Sequence, residues 1–269
     1  MNAIAAERST IGNRRERKRM NNYYSARSAQ DPYFADRRSN PYRSTLAFEA
    51  FLAKQRFFDT LPKGALVADI ACGTGSETAY LAARHPHLNF IGVDLQQHFI
   101  DAATARHADI GNLQFTCGDI YSLHRVAQWG DVHAVWLSQT LSWLPWWRAE
   151  LLSLVGPQVD RIALSTLAWD GMIESKVIHY LGRREDPDTE SVFYNVYSIP
   201  AMRDQMVNIG FAWSAVEKFE IDIDLKPPRT GDLGSYTIST TMGERLTFST
   251  WQYLPWHFLM FSKRDLTTT

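Results

Sequence analysis

The chain has 269 residues, 45% of them hydrophobic and 13% aromatic, which is enough for one α/β domain with additions or for two small domains. Its two cysteines exclude a disulfide framework and a zinc cluster, and no run of about 18 apolar residues predicts a membrane span. The first residues lack the apolar core of a signal peptide, so we expect a cytoplasmic protein with no membrane partner.

The formal net charge of −1 is unevenly distributed along the chain. Residues 1–43 carry ten Lys or Arg against four Asp or Glu, with a basic run at residues 14–19, whereas the remaining body is acidic. We predict that residues 1–43 form a basic, partly disordered N-terminal arm. Such an arm is either simply solvated, in contact with the acidic body, or used to bind nucleic acid.

The arm also contains aromatic and arginine side chains, each with two interpretations. Tyr23, Tyr24 and Tyr33 either close over a ligand as a lid or pack on the outside of the domain. Arg38 and Arg43 pair either with the acidic body or with a substrate carboxylate. The sequence leaves both pairs of interpretations open.

Helical spacing of apolar residues predicts a helix over residues 44–60, with Ser44 or Thr45 as its N-cap. Strands and helices then alternate. The predicted strands cover residues 65–70, 89–94, 113–117, 132–137 and 161–167, and the helices cover residues 76–84, 97–108, 121–128 and 147–155. This alternation predicts a parallel sheet with right-handed crossovers.

The last hundred residues have a different pattern. A helix begins at Ser198 and ends at Gly210, and residues 216–225 alternate as a half-buried strand. The remaining predicted elements are a hairpin of residues 235–241 and 245–250 and a final strand over residues 256–262. We predict one domain over residues 44–269, with insertions near residues 172–197 and 226–256 that cover the substrate.

The first buried strand runs into a glycine turn that is typical of a cofactor site. Gly73 and Gly75 allow a tight turn and close approach of a ligand to the backbone, and Ser76 opens the next helix. A dinucleotide fingerprint requires a third glycine where Thr78 stands, so a nicotinamide or flavin cofactor is disfavoured.

Three acidic residues lie at the carboxyl ends of three successive predicted strands, which suits S-adenosylmethionine. The turn after Asp69 would hold the methionine end of that cofactor. Asp94 would accept hydrogen bonds from the two ribose hydroxyls, with Leu95 packing on the adenine. Asp119 would accept from the adenine amine, with Ile120 against the ring.

These motifs resemble those of the class I S-adenosylmethionine-dependent methyltransferases, in particular the branch that acts on small molecules. The similar stretches are residues 67–75 (VADIACGTG), 91–94 (IGVD), 117–120 (CGDI), 135–143 (VWLSQTLSW) and 254–261 (LPWHFLMF). The family often has Gly where this chain has Ala71. The resemblance implies a Rossmann-like three-layer sandwich whose seven-stranded, mostly parallel sheet ends in an antiparallel strand. The cofactor-binding residues implied are Asp69, Ala71, Cys72, Gly73, Gly75, Asp94, Leu95, Gly118, Asp119, Ile120 and Ser138.

Methyl transfer needs an acceptor held in line with the sulfonium, and a hydroxyl acceptor usually needs a general base. The candidate bases are His124 and His179, and no histidine spacing indicates a metal site. The candidate substrate-binding residues are Gln139, Trp143, Trp147, Trp169, Tyr194 and Tyr197, which follow predicted strands or lie in the first insertion.

We therefore predict an S-adenosylmethionine-dependent methyltransferase that acts on an oxygen or nitrogen of a small molecule. The alternatives are an RNA methyltransferase that uses the basic arm, a non-catalytic S-adenosylmethionine-binding protein and, disfavoured by Thr78, a nicotinamide-dependent oxidoreductase. The identity of the acceptor and the oligomeric state are left open.

Overall fold

The computed structural model describes residues 35–145, 147–183, 190–228 and 234–263, together with residues 25, 27, 28 and 30. The basic run at residues 14–19 and the predicted lid residues Tyr23, Tyr24 and Tyr33 lie outside the described residues.

Strands and helices alternate through the first two thirds of the described chain. In chain order the strands are β1 (Leu66–Ile70), β2 (Asn89–Asp94), β3 (Leu113–Cys117), β4 (Val132–Ser138), β5 (Arg161–Trp169), β6 (Ile178–Tyr180), β7 (Ser191–Phe193), β8 (Tyr197–Ser198), β9 (Ala212–Lys218), β10 (Ser235–Ser239), β11 (Arg245–Ser249), β12 (Gln252–Tyr253) and β13 (Trp256–Ser262). The helices are α1 (Arg43–Lys54), α2 (Ser76–Arg84), α3 (Gln97–Arg106), α4 (Trp147–Ser153) and α5 (Ile199–Asn208).

The main sheet has the strand order β3-β2-β1-β4-β5-β13-β9, with the two-residue strand β8 beside β5. Strands β1 to β5 pair in parallel, whereas β13 pairs antiparallel with both β5 and β9. The predicted Rossmann-like fold, with a mostly parallel seven-stranded sheet and an antiparallel last strand, is confirmed.

Apolar side chains bury both faces of this sheet, because strands flanked by helices on both sides have no solvent-facing side. On one face Phe48 and Phe51 of α1 pack on Phe258 of β13, with ring centroids 5.1 and 5.6 Å apart. On the other face Leu151 of α4 and Met202 of α5 belong to a single buried cluster with the sheet residues. The result is a three-layer arrangement of helices, sheet and helices.

Several predicted boundaries are wrong. The first helix ends at Lys54, and Tyr42 is its N-cap, so Ser44 and Thr45 lie inside it. The predicted helix over residues 121–128 is instead two 3-10 segments, Ile120–Arg125 and Trp129–Asp131.

The half-buried strand predicted over residues 216–225 is also displaced. The observed strand β9 ends at Lys218, which pairs with His257 of β13. The two strands are antiparallel, and β13 begins at Trp256, one residue before His257. Pairing therefore stops at Lys218 because β13 extends no further in that direction. The alternation after Lys218 therefore does not mark a strand.

The two predicted insertions contain short antiparallel pairs. In the first, β6 pairs with β7. In the second, β10 pairs with β11 in the predicted hairpin, with Ser235 opposite Ser249, and β11 also pairs with β12.

The glycine turn between β1 and α2 depends on close contact with the neighbouring strand. Gly75 has φ +74°, and a Cβ atom there would lie 2.4 Å from the ring of Phe115 on β3. Gly64 has a similar φ of +82°, but a Cβ atom there would meet nothing within 4 Å.

These two glycines form a matched pair for measuring the cost of that contact. We expect Gly64→Ala to lower the free energy of unfolding by about 1 kcal/mol through backbone strain alone. Gly75→Ala should lower it by about 2–4 kcal/mol, because overpacking against Phe115 adds to the strain. Urea unfolding of both variants measures the difference, and equal losses would contradict the contact.

Candidate functional site

A cavity of about 300 Å³ lies at the carboxyl ends of β1, β2 and β4, the edge of an open α/β sheet where ligands bind. Its walls come from five segments of the chain. The lining residues used below are Arg37, Tyr42 and Thr45 before the sheet; Asp69, Ala71, Cys72, Gly73 and Glu77 around the glycine turn; Asp94 and Leu95 after β2; Gly118, Asp119 and Ile120 after β3; and Ser138, Gln139 and Trp143 after β4.

The glycine turn presents backbone rather than side chains to this cavity. Ala71 has φ +62° and Gly73 has φ +55°, so both are in the left-handed region that favours glycine. Gln139, on the opposite wall, also has a positive φ of 53°. Left-handed residues other than glycine cost free energy and cluster at functional sites.

Asp94 connects this turn to β2. Its Oδ2 accepts a hydrogen bond of 2.9 Å from the Gly73 amide, and its Oδ1 accepts one of 2.8 Å from the Gln96 amide. Burial raises the pKa of Asp94, and the bonds from the Gln96 and Gly73 amides offset part of that shift. Asp94 therefore shapes the turn as well as facing the cavity.

Asp119 has a similar local arrangement after β3. It is the N-cap of the 3-10 segment that follows, and its Oδ1 accepts a 3.0 Å bond from the Tyr121 amide. The sequence places Gly118 directly before it, where a Cβ atom would lie 2.8 Å from Val93. A small residue is thus required beside this carboxylate.

Two further carboxylates, Asp69 and Glu77, lie in the cavity wall. Asp69 is 3% exposed and accepts a bond of 2.6 Å from the hydroxyl of Thr78. The Oε2 atom of Glu77 accepts bonds from the hydroxyls of Thr45 and Ser138, at 3.0 and 3.3 Å. Its Oε1 atom is buried and has no hydrogen-bond partner among the described residues.

Burial of this carboxylate pair is electrostatically unfavourable. Burial is the main reason that the pKa of Asp69 is raised well above its usual value, and the negative charge of Glu77 adds to the shift. Burial also raises the pKa of Glu77, with the Thr45 and Ser138 hydroxyls acting in the opposite direction. A cation beside the pair would stabilise both charges.

The charged side chains that line the cavity are strongly unbalanced. Four carboxylates, those of Asp69, Glu77, Asp94 and Asp119, face the single guanidinium of Arg37 in the described lining. Such a cavity favours a ligand with cationic groups and disfavours one with several phosphates.

The structure brings together most of the predicted cofactor-binding residues. Of those eleven, ten line the cavity, and Gly75 lies behind the turn against Phe115. The predicted substrate-binding residues Gln139 and Trp143 also line the cavity.

The other predicted site residues do not line this cavity. The Tyr197 hydroxyl donates to backbone carbonyls at Leu141 and Leu144, and the ring of Trp147 packs on it at 6.2 Å. The Nε1 atom of Trp169 donates to the Ile173 carbonyl at a short distance. Tyr194 lies behind Trp143, with ring centroids 4.7 Å apart.

The predicted bases His124 and His179 also lie away from the cavity lining. His179 contacts the side-chain amide oxygen of Gln252 at 3.3 Å and packs against Tyr194, at a centroid distance of 5.0 Å. His124 is in the 3-10 segment Ile120–Arg125.

Sequence reasoning missed Arg37, Thr45 and Glu77. An acidic residue in the first turn of a helix has an ordinary explanation in the helix dipole, so Glu77 gave no distinct signal. Arg37 was one of ten basic residues in the arm. Among the described residues, no group of three or more His, Cys, Asp or Glu side chains could hold a metal, and no helix is long and apolar enough to cross a membrane.

Part of the chain is similar in sequence to known methyltransferases. Residues 67–155 match the family model described as a methyltransferase domain. The chain is 32% identical over 112 residues to trans-aconitate 2-methyltransferase of Deinococcus radiodurans, covering 42% of this chain and 37% of that protein. It is 34% identical over 74 residues to tRNA (guanine-N(7)-)-methyltransferase of Rubrobacter xylanophilus, covering 27% and 33%.

The chain thus spans about a third of the length of these two relatives. Its fold is similar to that of magnesium protoporphyrin IX methyltransferase from Synechocystis PCC 6803, solved with bound SAM. The TM-score is 0.51 over 92% of this chain and 90% of that one, at 16% identity, so this likeness concerns the fold. The family match thus covers the stretch from β1 to just beyond α4, and the likeness in fold extends over most of the chain.

Proposed function

We propose that the chain is an S-adenosylmethionine-dependent methyltransferase that methylates an oxygen or nitrogen of a small molecule. The observation that carries this proposal is the cavity at the carboxyl ends of the strands, in which Asp69, Glu77, Asp94 and Asp119 face one guanidinium. S-adenosylmethionine has a sulfonium and an ammonium against one carboxylate, and it has no phosphate. The cavity therefore suits it better than a dinucleotide.

In this proposal each group of the cofactor has a counterpart in the lining. The backbone around Ala71 and Gly73 holds the methionine end, and Asp69 and Glu77 balance the charge of its ammonium. Asp94 retains acceptor capacity for the ribose hydroxyls, because each of its oxygens receives one backbone bond and can accept a second. Asp119 accepts from the adenine amine.

Bound S-adenosylmethionine supplies an electrophilic methyl group, so the protein mainly has to orient the acceptor and exclude water. Gln139 and Trp143 border the remaining part of the cavity and are our candidates for contact with the acceptor. Because His124 and His179 lie away from the lining, we expect substitution of either histidine to leave turnover unchanged.

Binding of the demethylated product tests the cofactor assignment. We expect S-adenosylhomocysteine to bind with a Kd on the order of micromolar, and Asp94→Ala to weaken it at least tenfold, about 1.4 kcal/mol. Isothermal titration calorimetry measures both. Asp101→Ala is the matched control, since that carboxylate is exposed on α3 and, within the described part of the chain, accepts a bond from Gln97 alone.

Because Asp94 also holds the turn, Asp94→Asn should be compared, as it keeps an acceptor oxygen and loses the charge. No heat with S-adenosylhomocysteine, alongside binding of NADH, would contradict the proposed cofactor.

The raised carboxylate pKa values predict that binding releases protons. An ammonium beside Asp69 and Glu77 favours their ionised forms, so affinity for S-adenosylhomocysteine should rise with pH from about 4 through the raised pKa values. The raised pKa values of Asp69 and Glu77 have the opposite effect on the free energy of unfolding of the protein alone. That free energy declines as the pH rises through these pKa values, because the folded state binds more protons than the unfolded state.

Calorimetric titrations in buffers of different ionisation enthalpy, repeated over the acidic pH range, measure this proton release. Glu77→Gln should reduce the proton release and weaken the binding of S-adenosylhomocysteine. Thr78→Val, which replaces the hydroxyl bonded to Asp69 with a methyl group, should instead increase the release, because that bond lowers the pKa of Asp69. A binding enthalpy that is independent of buffer in the unaltered protein would count against the charged pair.

RNA methylation is the second candidate, supported by the partial match to a tRNA methyltransferase and by the basic run at residues 14–19. It predicts tight binding of tRNA that weakens steeply with salt and is lost on deletion of residues 1–22. Fluorescence anisotropy at low salt measures it, and negligible binding there eliminates this candidate. The match to trans-aconitate 2-methyltransferase supports a small acidic acceptor instead.

A further inference from the structure

Arg37 is the one basic side chain in the described lining of an otherwise acidic cavity. Its backbone amide donates a 3.2 Å bond to the hydroxyl of Ser76, the first residue of α2. Its guanidinium carbon lies 4.7 Å from the ring centroid of Tyr42, which also lines the cavity. The backbone at Arg37 is therefore fixed to the start of α2, and the guanidinium lies against Tyr42 on the cavity wall.

The guanidinium of Arg37 lacks an anionic partner within the described part of the chain. Its Nε atom is buried and makes no hydrogen bond to any described residue. A buried donor of this kind costs free energy unless an acceptor reaches it. We therefore expect a ligand in the cavity to supply an acceptor for the Arg37 guanidinium that the described part of the protein does not.

Neighbouring arginines on the same segment behave differently. Arg38 forms a 2.8 Å ion pair with Asp109, and Arg43 forms a 2.9 Å ion pair with Asp222. Neither arginine lines the cavity. The acidic body thus pairs with the next two arginines after Arg37, while Arg37 faces the cavity.

We infer that Arg37 binds a carboxylate of a ligand in this cavity. A guanidinium presents two parallel N–H groups that match a carboxylate, and the adjacent N-terminus of α2 adds a favourable potential for an anion. Since Glu77 lies in the first turn of the same helix, the wall offers a cation and an anion side by side, as an amino-acid group requires.

This inference rests on the proposed function and allows two sources for the carboxylate. One is the amino-acid end of the cofactor, and the other is an acidic methyl acceptor bound beside it. The two sources share the same recognition chemistry and are separated by the choice of probe.

Calorimetric titration of Arg37→Gln, with Arg38→Gln as the matched control, tests the inference. The probes are S-adenosylhomocysteine, which has the amino-acid end, and 5′-methylthioadenosine, which keeps the adenosine and lacks that end. Citrate added to protein saturated with S-adenosylhomocysteine serves as the acidic acceptor probe. Arg37→Lys keeps the positive charge but lacks the two parallel N–H groups of the guanidinium. It should show an intermediate loss of affinity, and it remains informative if Arg37→Gln fails to fold.

If the carboxylate belongs to the cofactor, Arg37→Gln weakens S-adenosylhomocysteine at least tenfold and leaves 5′-methylthioadenosine unchanged. If it belongs to the acceptor, S-adenosylhomocysteine affinity is retained, and citrate binds the unaltered protein but not Arg37→Gln. The inference is overturned if Arg37→Gln matches Arg38→Gln with all three probes while S-adenosylhomocysteine binds normally. Failure of S-adenosylhomocysteine to bind the unaltered protein would overturn the proposed function itself, and the inference with it.

Discussion

The hydrogen bonds from the Gly73 and Gln96 amides to Asp94 are the interactions on which the cavity depends. They join the turn after β1 to the chain after β2, beyond the last ladder pair of Ile70 with Val93. With both oxygens committed to backbone amides, the carboxylate has a single orientation. Groups facing the cavity from these two segments are consequently positioned before any ligand arrives, which reduces the ordering cost of binding.

The carboxylates that line the cavity lower the stability of the folded protein at neutral pH. Asp69 and Glu77 are like charges in a buried setting, and hydroxyl donors from Thr78, Thr45 and Ser138 compensate for their burial only in part. Stability is commonly given up at sites that are complementary to a ligand rather than to themselves. Left-handed backbone at Ala71 and Gln139 is a second cost at the same place.

Local chemistry in the sequence was sufficient to predict the sheet and the turn. Buried apolar runs predicted the bounds of β2, β3 and β13 to the residue, and glycines with acidic residues at strand ends located one side of the cavity. The end of β9 could not be predicted in this way, because it depends on pairing with a strand about forty residues later.

The missed site residues share that dependence on distant packing. Glu77 bonds Thr45 and Ser138, which are 32 and 61 residues away in the chain. The aromatic residues that were predicted to bind substrate but do not line the cavity depend on packing in the opposite sense. Composition cannot tell which way a ring points, and Tyr197 turns inward to satisfy backbone carbonyls at Leu141 and Leu144.

The hydrogen bond from Thr45 to Glu77 connects helix α1 to the cavity wall. Thr45 belongs to α1, whose phenylalanines pack on the final strand β13, whereas Glu77 belongs to α2 beside the turn. A cation that reached Oε2 of Glu77 would compete with the Thr45 hydroxyl for that atom, whereas a cation at Oε1 would not. In the first case, binding in the cavity and the packing of α1 would be thermodynamically linked, and each would change the equilibrium of the other by the same free energy.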